Sequence, residues 1–539
     1  MKPGGGSGAS DGPVERAPAG SVVVSFAYSP EKEELLLPLV EEFNASGAEA
    51  GGKRVFVEAV NRSSGEVEAE IAEGDYEPVA WSPSSSLWGR LLNYEADRAL
   101  APEESPSIVR TPLVFAMWEP MARALGYPDE PLGYTDILDL ATSGTGWAKY
   151  GRPEFGEFKL VHTNPDYSTS GLSAVIAEYY FATGKKEGLT VDDVRAKATR
   201  SRVKAIEQSI VHYGDTTLFI ADQMREGGLG YASAVAMEEA TLLAFNEDRA
   251  GQPKLVAIYP EEGTFFSDNP FIVLDAPWVS ADEREGAGQF QAFLADAITP
   301  SVAAQGGFRP ADFDAEPVAP IDAEHGADPA QPARVLGLPE PQVLAAAKAA
   351  WLQDRKPANI LLVLDTSGSM QDEDRLERAK EGLEVFFDEV GDQDRVGLLT
   401  FNTDLSVSAP LRPFGENGRE LRRTVRGLIA DGGTAYYDAA VEGFNGVREL
   451  DDDERINAVV LLTDGEDTDS SRSYEQALEA LGAQGDADNQ VRLFTIAYSA
   501  GASGAQTQLA ALAAATGGKS YEGSTEDIEA VYRSISSFF

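Results

Sequence analysis

Hydrophobic and polar positions fall into blocks whose period changes along the chain. Residues 21–26 make a short β-rich run, and Pro30 then opens a pattern that places Leu35, Leu36, Leu39, Val40 and Phe43 on one helical face. A strand followed by an amphipathic helix begins an α/β layer, and the alternation continues to about Pro310. Residues 108–118 and 253–259 read as extended crossing segments around a helix-rich block at 131–246. A block inserted between two crossings predicts two lobes, a hinge and a cleft. Residues 311–341 lose periodicity and fill with proline, alanine and acids, as a linker does. A short helix is expected at 342–353, with Val343, Leu344, Ala347 and Trp351 along one side. Beyond it the runs 360–364, 396–401, 458–462 and 491–498 are largely apolar, as strands buried on both faces are. Helical patterns lie between and after them, at 375–390, 421–429, 435–450, 474–481, 506–515 and 525–538.

The predicted class is therefore α/β throughout. A flexible tether at 1–20 precedes a two-lobed unit at 21–312, a linker with a short helix at 313–355, and a doubly wound parallel sheet at 356–539. Ligand sites of such sheets lie at the carboxyl ends of the strands.

Charge and composition narrow the partners. The 539 residues hold 89 acidic against 44 basic side chains, a formal net charge of −45. The excess is spread evenly, at −18 from Lys356 onward and −27 before it. Such a surface repels nucleic acid and anionic lipid and favours cations. No apolar stretch approaches the ~18 residues needed to cross a bilayer. With no cysteine and three histidines, His162, His212 and His325, thiolate and histidine-rich metal sites are excluded. Residues 2–10, Lys-Pro-Gly-Gly-Gly-Ser-Gly-Ala-Ser, form a spacer similar to the tether after the lipidated cysteine of a bacterial lipoprotein. That similarity implies an extracytoplasmic protein at the envelope or cell surface, with a lipid anchor as its membrane contact.

The candidate chemistry is concentrated just past residues 360–364, in Asp365-Thr366-Ser367-Gly368-Ser369. One carboxylate and two hydroxyls alternate along a loop that can turn several oxygens toward a hard divalent cation. Thr434, in Asp431-Gly432-Gly433-Thr434, and Asp464, in Thr463-Asp464-Gly465, are further oxygen sources on loops. Taken singly, each reads equally well as a helix cap or a turn. The set resembles the metal-ion-dependent adhesion site of a von Willebrand factor A domain, over about a third of the chain. That resemblance implies Mg²⁺, with Mn²⁺ or Ca²⁺ as alternatives, held by Asp365, Ser367, Ser369, Thr434 and Asp464. One position would stay open to an Asp or Glu of a protein partner. Glu466, Asp467, Asp469 and the run 451–454 read as solvated loops.

Residues 21–312 resemble two-lobed bacterial solute-binding proteins of the periplasmic type. The resemblance is carried by Ala27-Tyr28-Ser29-Pro30, Trp81-Ser82-Pro83-Ser84-Ser85-Ser86, Asn164-Pro165-Asp166-Tyr167-Ser168-Thr169-Ser170-Gly171 and Gly306-Gly307-Phe308-Arg309-Pro310. Its nearest flavour is the oxyanion-binding one. Hydroxyls and free N–H groups at helix starts would cradle a small anion or carboxylate, or serve only as caps. The cleft candidates are Tyr28, Ser29, Ser84, Ser85, Ser168, Thr169, Ser170 and Tyr231, with Tyr213 and Asp215 behind them. Asp215 opposes an anion, which leaves a sugar, a peptide, a cation or an inactive cleft open.

The function expected is binding: a small solute in the cleft and an acidic protein partner at the metal, serving adhesion, assembly or sensing. The alternatives are a solute receptor for an importer and a metal-dependent hydrolase. No histidine lies near the metal loops in sequence, and no nucleophile elbow or phosphate loop is present, so the chain is expected not to be an enzyme.

Overall fold

The computed structural model describes residues 17–482, 490–498, 503–525 and 528–539. Most of the expected tether, including residues 2–10, lies outside them. The chain divides into two compact units at the Asp354–Arg355 bond.

The first unit contains two sheets. In the first lobe, Val22–Tyr28 lies between Lys53–Asn61 and Ala80–Ser82, parallel to both. Ile272–Val273 returns antiparallel along the outer side of Ala80–Ser82. The first helix, Glu33–Ser46, buries Leu35, Leu36, Val40 and Phe43, and it stops at Gly47, whose φ of 75° ends the helical turn. In the second lobe, the fully buried strand Val109–Trp118 pairs with Ala234–Glu238, which runs beside Leu160–His162.

The return crossing differs from expectation. Leu255–Ile258 pairs inside the second lobe with Phe115–Trp118. The chain crosses back about ten residues later, where Ser107 bridges Pro270 and Ile108 N–H donates to the Asn269 carbonyl. Short apolar runs carry no mark of which one bridges lobes.

Residues 313–354, expected as a linker, belong to the first unit. Ile321, Ala327 and Leu336 are buried, and Thr264 exchanges backbone hydrogen bonds with Arg334 and Leu336. The Arg309 guanidinium pairs with Glu239 at 2.6 Å and also donates to the carbonyls of Asp328, Pro329 and Gln331. Backbone polar groups anchor this stretch, which is why its side chains show no period. The Pro341–Asp354 helix buries Val343, Leu344, Ala347, Ala350 and Trp351. It packs against Leu87–Glu95 of the first lobe and against Thr169–Thr183, Val191–Arg195 and Lys197–Glu207 of the second.

The second unit is a six-stranded sheet. Arg395–Phe401, Ala358–Asp365, Ile456–Thr463, Val491–Tyr498 and Ser520–Gly523 are parallel neighbours in that order. Leu405–Pro413 closes one edge antiparallel to Arg395–Phe401. Ala358–Asp365 and Ile456–Thr463 are buried at every position, as strands covered on both faces must be. On one face the helix Tyr436–Arg448 buries Tyr436, Phe444 and Val447 against Leu361, Val363 and Val459. Phe386, Tyr532, Phe494 and Phe539 pack as neighbouring rings elsewhere in this unit.

Candidate functional site

Strand register assembles the oxygen cluster of the second unit. Leu364 lies opposite Leu462, so the next residues, Asp365 and Thr463, emerge together at the same sheet edge. Thr463 Oγ1 donates to Asp365 Oδ2 at 2.6 Å, and the Ser367 N–H donates to Asp365 Oδ1 at 2.7 Å. Ser367 Oγ and Ser369 Oγ are 3.0 Å apart, and Ser369 Oγ donates to Asp464 Oδ1 at 2.7 Å. The Thr434 loop is tied to both neighbours. Gly368 N–H donates to the Gly432 carbonyl, Thr468 N–H donates to the Thr434 carbonyl, and Thr434 N–H donates to Thr468 Oγ1. A Cβ on Gly465 would stand 3.9 Å from both Ser369 Oγ and Thr434 Oγ1, so the glycine sits where these hydroxyls meet. The five oxygen donors are thus brought to one place by three loops.

The electrostatics of this cluster suit a hard cation. Burial pushes the Asp365 carboxyl up to about 6; hydrogen bonds from Thr463 and Ser367 oppose the rise, and the Asp464 charge adds to it. Two carboxylates and three hydroxyls in one pocket are a donor set for an oxygen-loving divalent ion, so the residues fit one. Arg375 Nη1 holds Asp464 Oδ2 at 2.8 Å, a cationic partner that sequence reasoning missed. The neighbouring acids hold the loop. Asp467 accepts from Ser470 Oγ and the Tyr437 N–H, Asp469 accepts from Thr468 Oγ1, and Asp452 pairs with Arg395.

The first unit carries a narrow cleft, partly open to solvent, lined by both lobes. Ser29, Ser84, Ser168, Thr169 and Asp215 line it, and so do Glu31, Ser63, Ser64, Tyr167, Thr216, Thr217 and Glu238. Five of the expected residues are not among the lining. Ser85 Oγ accepts locally from Leu87 N–H, Ser170 is buried against Thr163 at 2.8 Å, and Tyr231 pairs with His212. Tyr28 is 2% exposed, and burial raises its phenol. Tyr213 points to Glu207 instead. Internal partners hold Ser85, Ser170, Tyr213 and Tyr231, and burial alone removes Tyr28.

The lining hydroxyls are already engaged. Ser29 and Ser84 donate to Glu31 Oε1 at 2.6 and 2.7 Å. The buried Lys32 ammonium donates to Ser29 and Asn269, and burial lowers it to about 8 against the pull of Glu31. Asp215 accepts from Thr216 N–H at 2.7 Å, and burial pushes Glu238 up to about 8. An internal carboxylate, Glu31, thus takes two of the hydroxyls expected to hold an anion. Glu31 and Glu238 escaped notice because a glutamate near a helix start reads as a solvated cap.

The lobes touch across the cleft. Trp88 Nε1 donates to Thr169 Oγ1 at 2.7 Å, and Gly65 N–H donates to the Tyr167 carbonyl at 2.9 Å. A Cβ at Gly65 would stand 1.9 Å from the Asp166 carbonyl oxygen, so no larger residue fits this approach. Behind the contact, Lys348 of the Pro341–Asp354 helix reaches Asp166 at 3.2 Å and lies over the Trp88 ring. Burial opposes its charge, but Asp166, Glu95 and Glu68 hold the ammonium above its ordinary range.

Comparison with known proteins matches these two constructions. Residues 24–309 match the bacterial extracellular solute-binding proteins, and residues 359–533 match the von Willebrand factor type A domain. The first match spans more than half of the chain, and the chain belongs to that family, whose members act outside the cytoplasm. Its second unit is a von Willebrand factor type A domain. Among curated relatives, calcium-activated chloride channel regulator 3A-1 of Mus musculus is 32% identical over 126 residues, 23% of this chain and 14% of that protein. An uncharacterised Synechocystis protein is 32% identical over 170 residues, 30% of this chain and 40% of that protein. The chain thus spans less than half the length of these relatives. Among solved structures, a periplasmic thiamin binding protein covers 64% of this chain and 99% of its own at 11% identity, with a TM-score of 0.44. A von Willebrand factor type A protein from Catenulispora acidiphila covers 34% of this chain and 42% of its own, at 18% identity and a TM-score of 0.29. No helix among the described residues is long and apolar enough to cross a membrane.

Proposed function

We propose that this chain is an envelope or cell-surface binding protein with two sites. The first unit closes on a small solute, and the second captures an Asp or Glu of a protein partner through a divalent cation, Mg²⁺ foremost. The carrying observation is the convergence of Asp365, Ser367, Ser369, Thr434 and Asp464 from three loops on one sheet edge. A bound cation supplies a Lewis-acidic position for the partner's carboxylate. Asp365 and Asp464 provide the charge that holds the ion. The three hydroxyls keep it electron-poor, and Arg375 fixes the far oxygen of Asp464. With Asp365 and Asp464 both engaged in holding the ion, the reading is capture rather than catalysis.

In the cleft, the acids Glu31 and Asp215 and the engaged serines favour a solute that donates hydrogen bonds, an amine or a polyol, over an oxyanion. Anchoring through a lipid at the start of the chain completes this reading. Service as an importer's receptor rests on the family alone. Isothermal titration with Mg²⁺ tests the second site: wild-type chain should bind one equivalent and Asp365→Ala none, with its sheet intact by circular dichroism. Equal binding by both proteins would remove the basis for capture.

A further inference from the structure

Behind the cleft wall of the second lobe lies a group of ionisable side chains that neither site uses. His162 ends the strand Leu160–His162, Glu178 lies within the helix Thr169–Thr183, and Glu207 closes the helix Lys197–Glu207. All three are at most 1% exposed. One donor atom of each lies within 4.8 Å of the other two. His162 Nε2 is 3.1 Å from Glu207 Oε1, close to the spacing of adjacent ligands on one tetrahedral ion, about 3.3 Å. Tyr213 donates its hydroxyl to Glu207 Oε2 at 2.5 Å.

The imidazole is already oriented. Nδ1 lies 2.7 Å from the Thr163 carbonyl, which can only accept, so Nδ1 carries a proton and Nε2 faces the carboxylates. A backbone carbonyl on the remote nitrogen is the support that metal-bound histidines take. Two carboxylates and a neutral imidazole carry a charge of −2, which cannot stand uncompensated in a dry interior. Two protons could cancel it, making an imidazolium and a neutral Glu178. That solution seats the Glu178 proton against the neighbouring Glu207 carboxylate, which already accepts from the Tyr213 hydroxyl and faces the imidazole. A divalent cation cancels the same charge at one point within reach of all three side chains.

We propose that His162, Glu178 and Glu207 bind a divalent transition-metal ion, Zn²⁺ foremost, as a structural site distinct from the oxygen cluster of the second unit. One imidazole with two carboxylates selects such an ion over Mg²⁺ or Ca²⁺. The site supports the cleft wall. Thr163 follows His162 directly, Tyr213 leads into the Gly214–Thr217 wall, and Asn164 N–H donates to the Gly214 carbonyl at 2.8 Å. Enclosed on all sides, the ion enters as the lobe folds and exchanges slowly.

The test measures metal content by plasma mass spectrometry on full-length protein carrying Asp365→Ala, which disables the second unit's site. Produced in zinc-supplemented medium and dialysed against EDTA, this protein should retain one equivalent of transition metal. Adding Glu178→Gln should remove it. Produced with Co²⁺, the Asp365→Ala chain should show visible d–d absorption that His162→Gln abolishes. Absence of stoichiometric metal and of the cobalt bands in folded Asp365→Ala protein would overturn the proposal and leave a proton-sharing network. That outcome stands even if the double variants fail to fold. It leaves the capture reading untouched, since the Mg²⁺ titration does not involve these residues.

Discussion

Glu68 shows how much one side chain can tie to pH. It is 1% exposed beside Lys348, and burial, reinforced by Glu95, pushes its carboxyl up to about 8 from an unfolded value near 4.5. The folded chain therefore holds a proton that the unfolded chain releases. The stability this contributes is complete below the unfolded value and is lost as pH rises through 8. Glu238 runs the same way. Glu68→Gln should flatten the fall in melting temperature between about pH 5 and pH 9, by on the order of 2–4 kcal/mol in stability. An unchanged pH profile would show that Glu68 ionises freely in the folded protein. Legibility at this scale follows chemistry. Asp365, Ser367, Ser369, Thr434 and Asp464 could be read only as a set, in the order of a known metal site, since each alone serves equally as a cap or a turn. Glu68, Glu178 and Glu207 could not, because a glutamate in a helical pattern reads as surface until its neighbours are known.

The Pro341–Asp354 helix was visible from its spacing, and its destination was not. Val343, Leu344, Ala347 and Trp351 mark a buried face, but periodicity does not name the surface that buries it. That surface belongs to both lobes. Trp351 meets Tyr213 edge-on at 5.1 Å between ring centres, and Arg200 grips Asp354 with two 2.7 Å bonds. Trp351→Ala should cost the first unit about 3–5 kcal/mol, read as a lower denaturant midpoint. A loss below about 1 kcal/mol would show that the helix is a passive appendage. The strand Leu405–Pro413 escaped prediction for a different reason. It is an edge strand, exposed or half-buried at all but one position and closed by proline, so it lacks the continuous apolar run of its buried neighbours.

At the scale of the molecule, the α/β class and the two-part organisation were written in the blocks of hydrophobic periodicity. The start of the second unit was written there too, at 356 against 355; that the preceding stretch belongs to the first unit was not, because residues 313–354 are held by Arg309 and backbone hydrogen bonds that leave no pattern. Each unit has its own core, and calorimetry of the intact chain should resolve two unfolding transitions. Trp351→Ala should lower only the transition of the first unit; a single transition moving as a whole would show one cooperative body. The Gly65 approach has a wider meaning. Because any methyl group there would wedge against the Asp166 carbonyl, this contact between the lobes depends on one missing carbon atom. A single-nucleotide change to alanine at that codon would wedge the two lobes apart at the point where they meet.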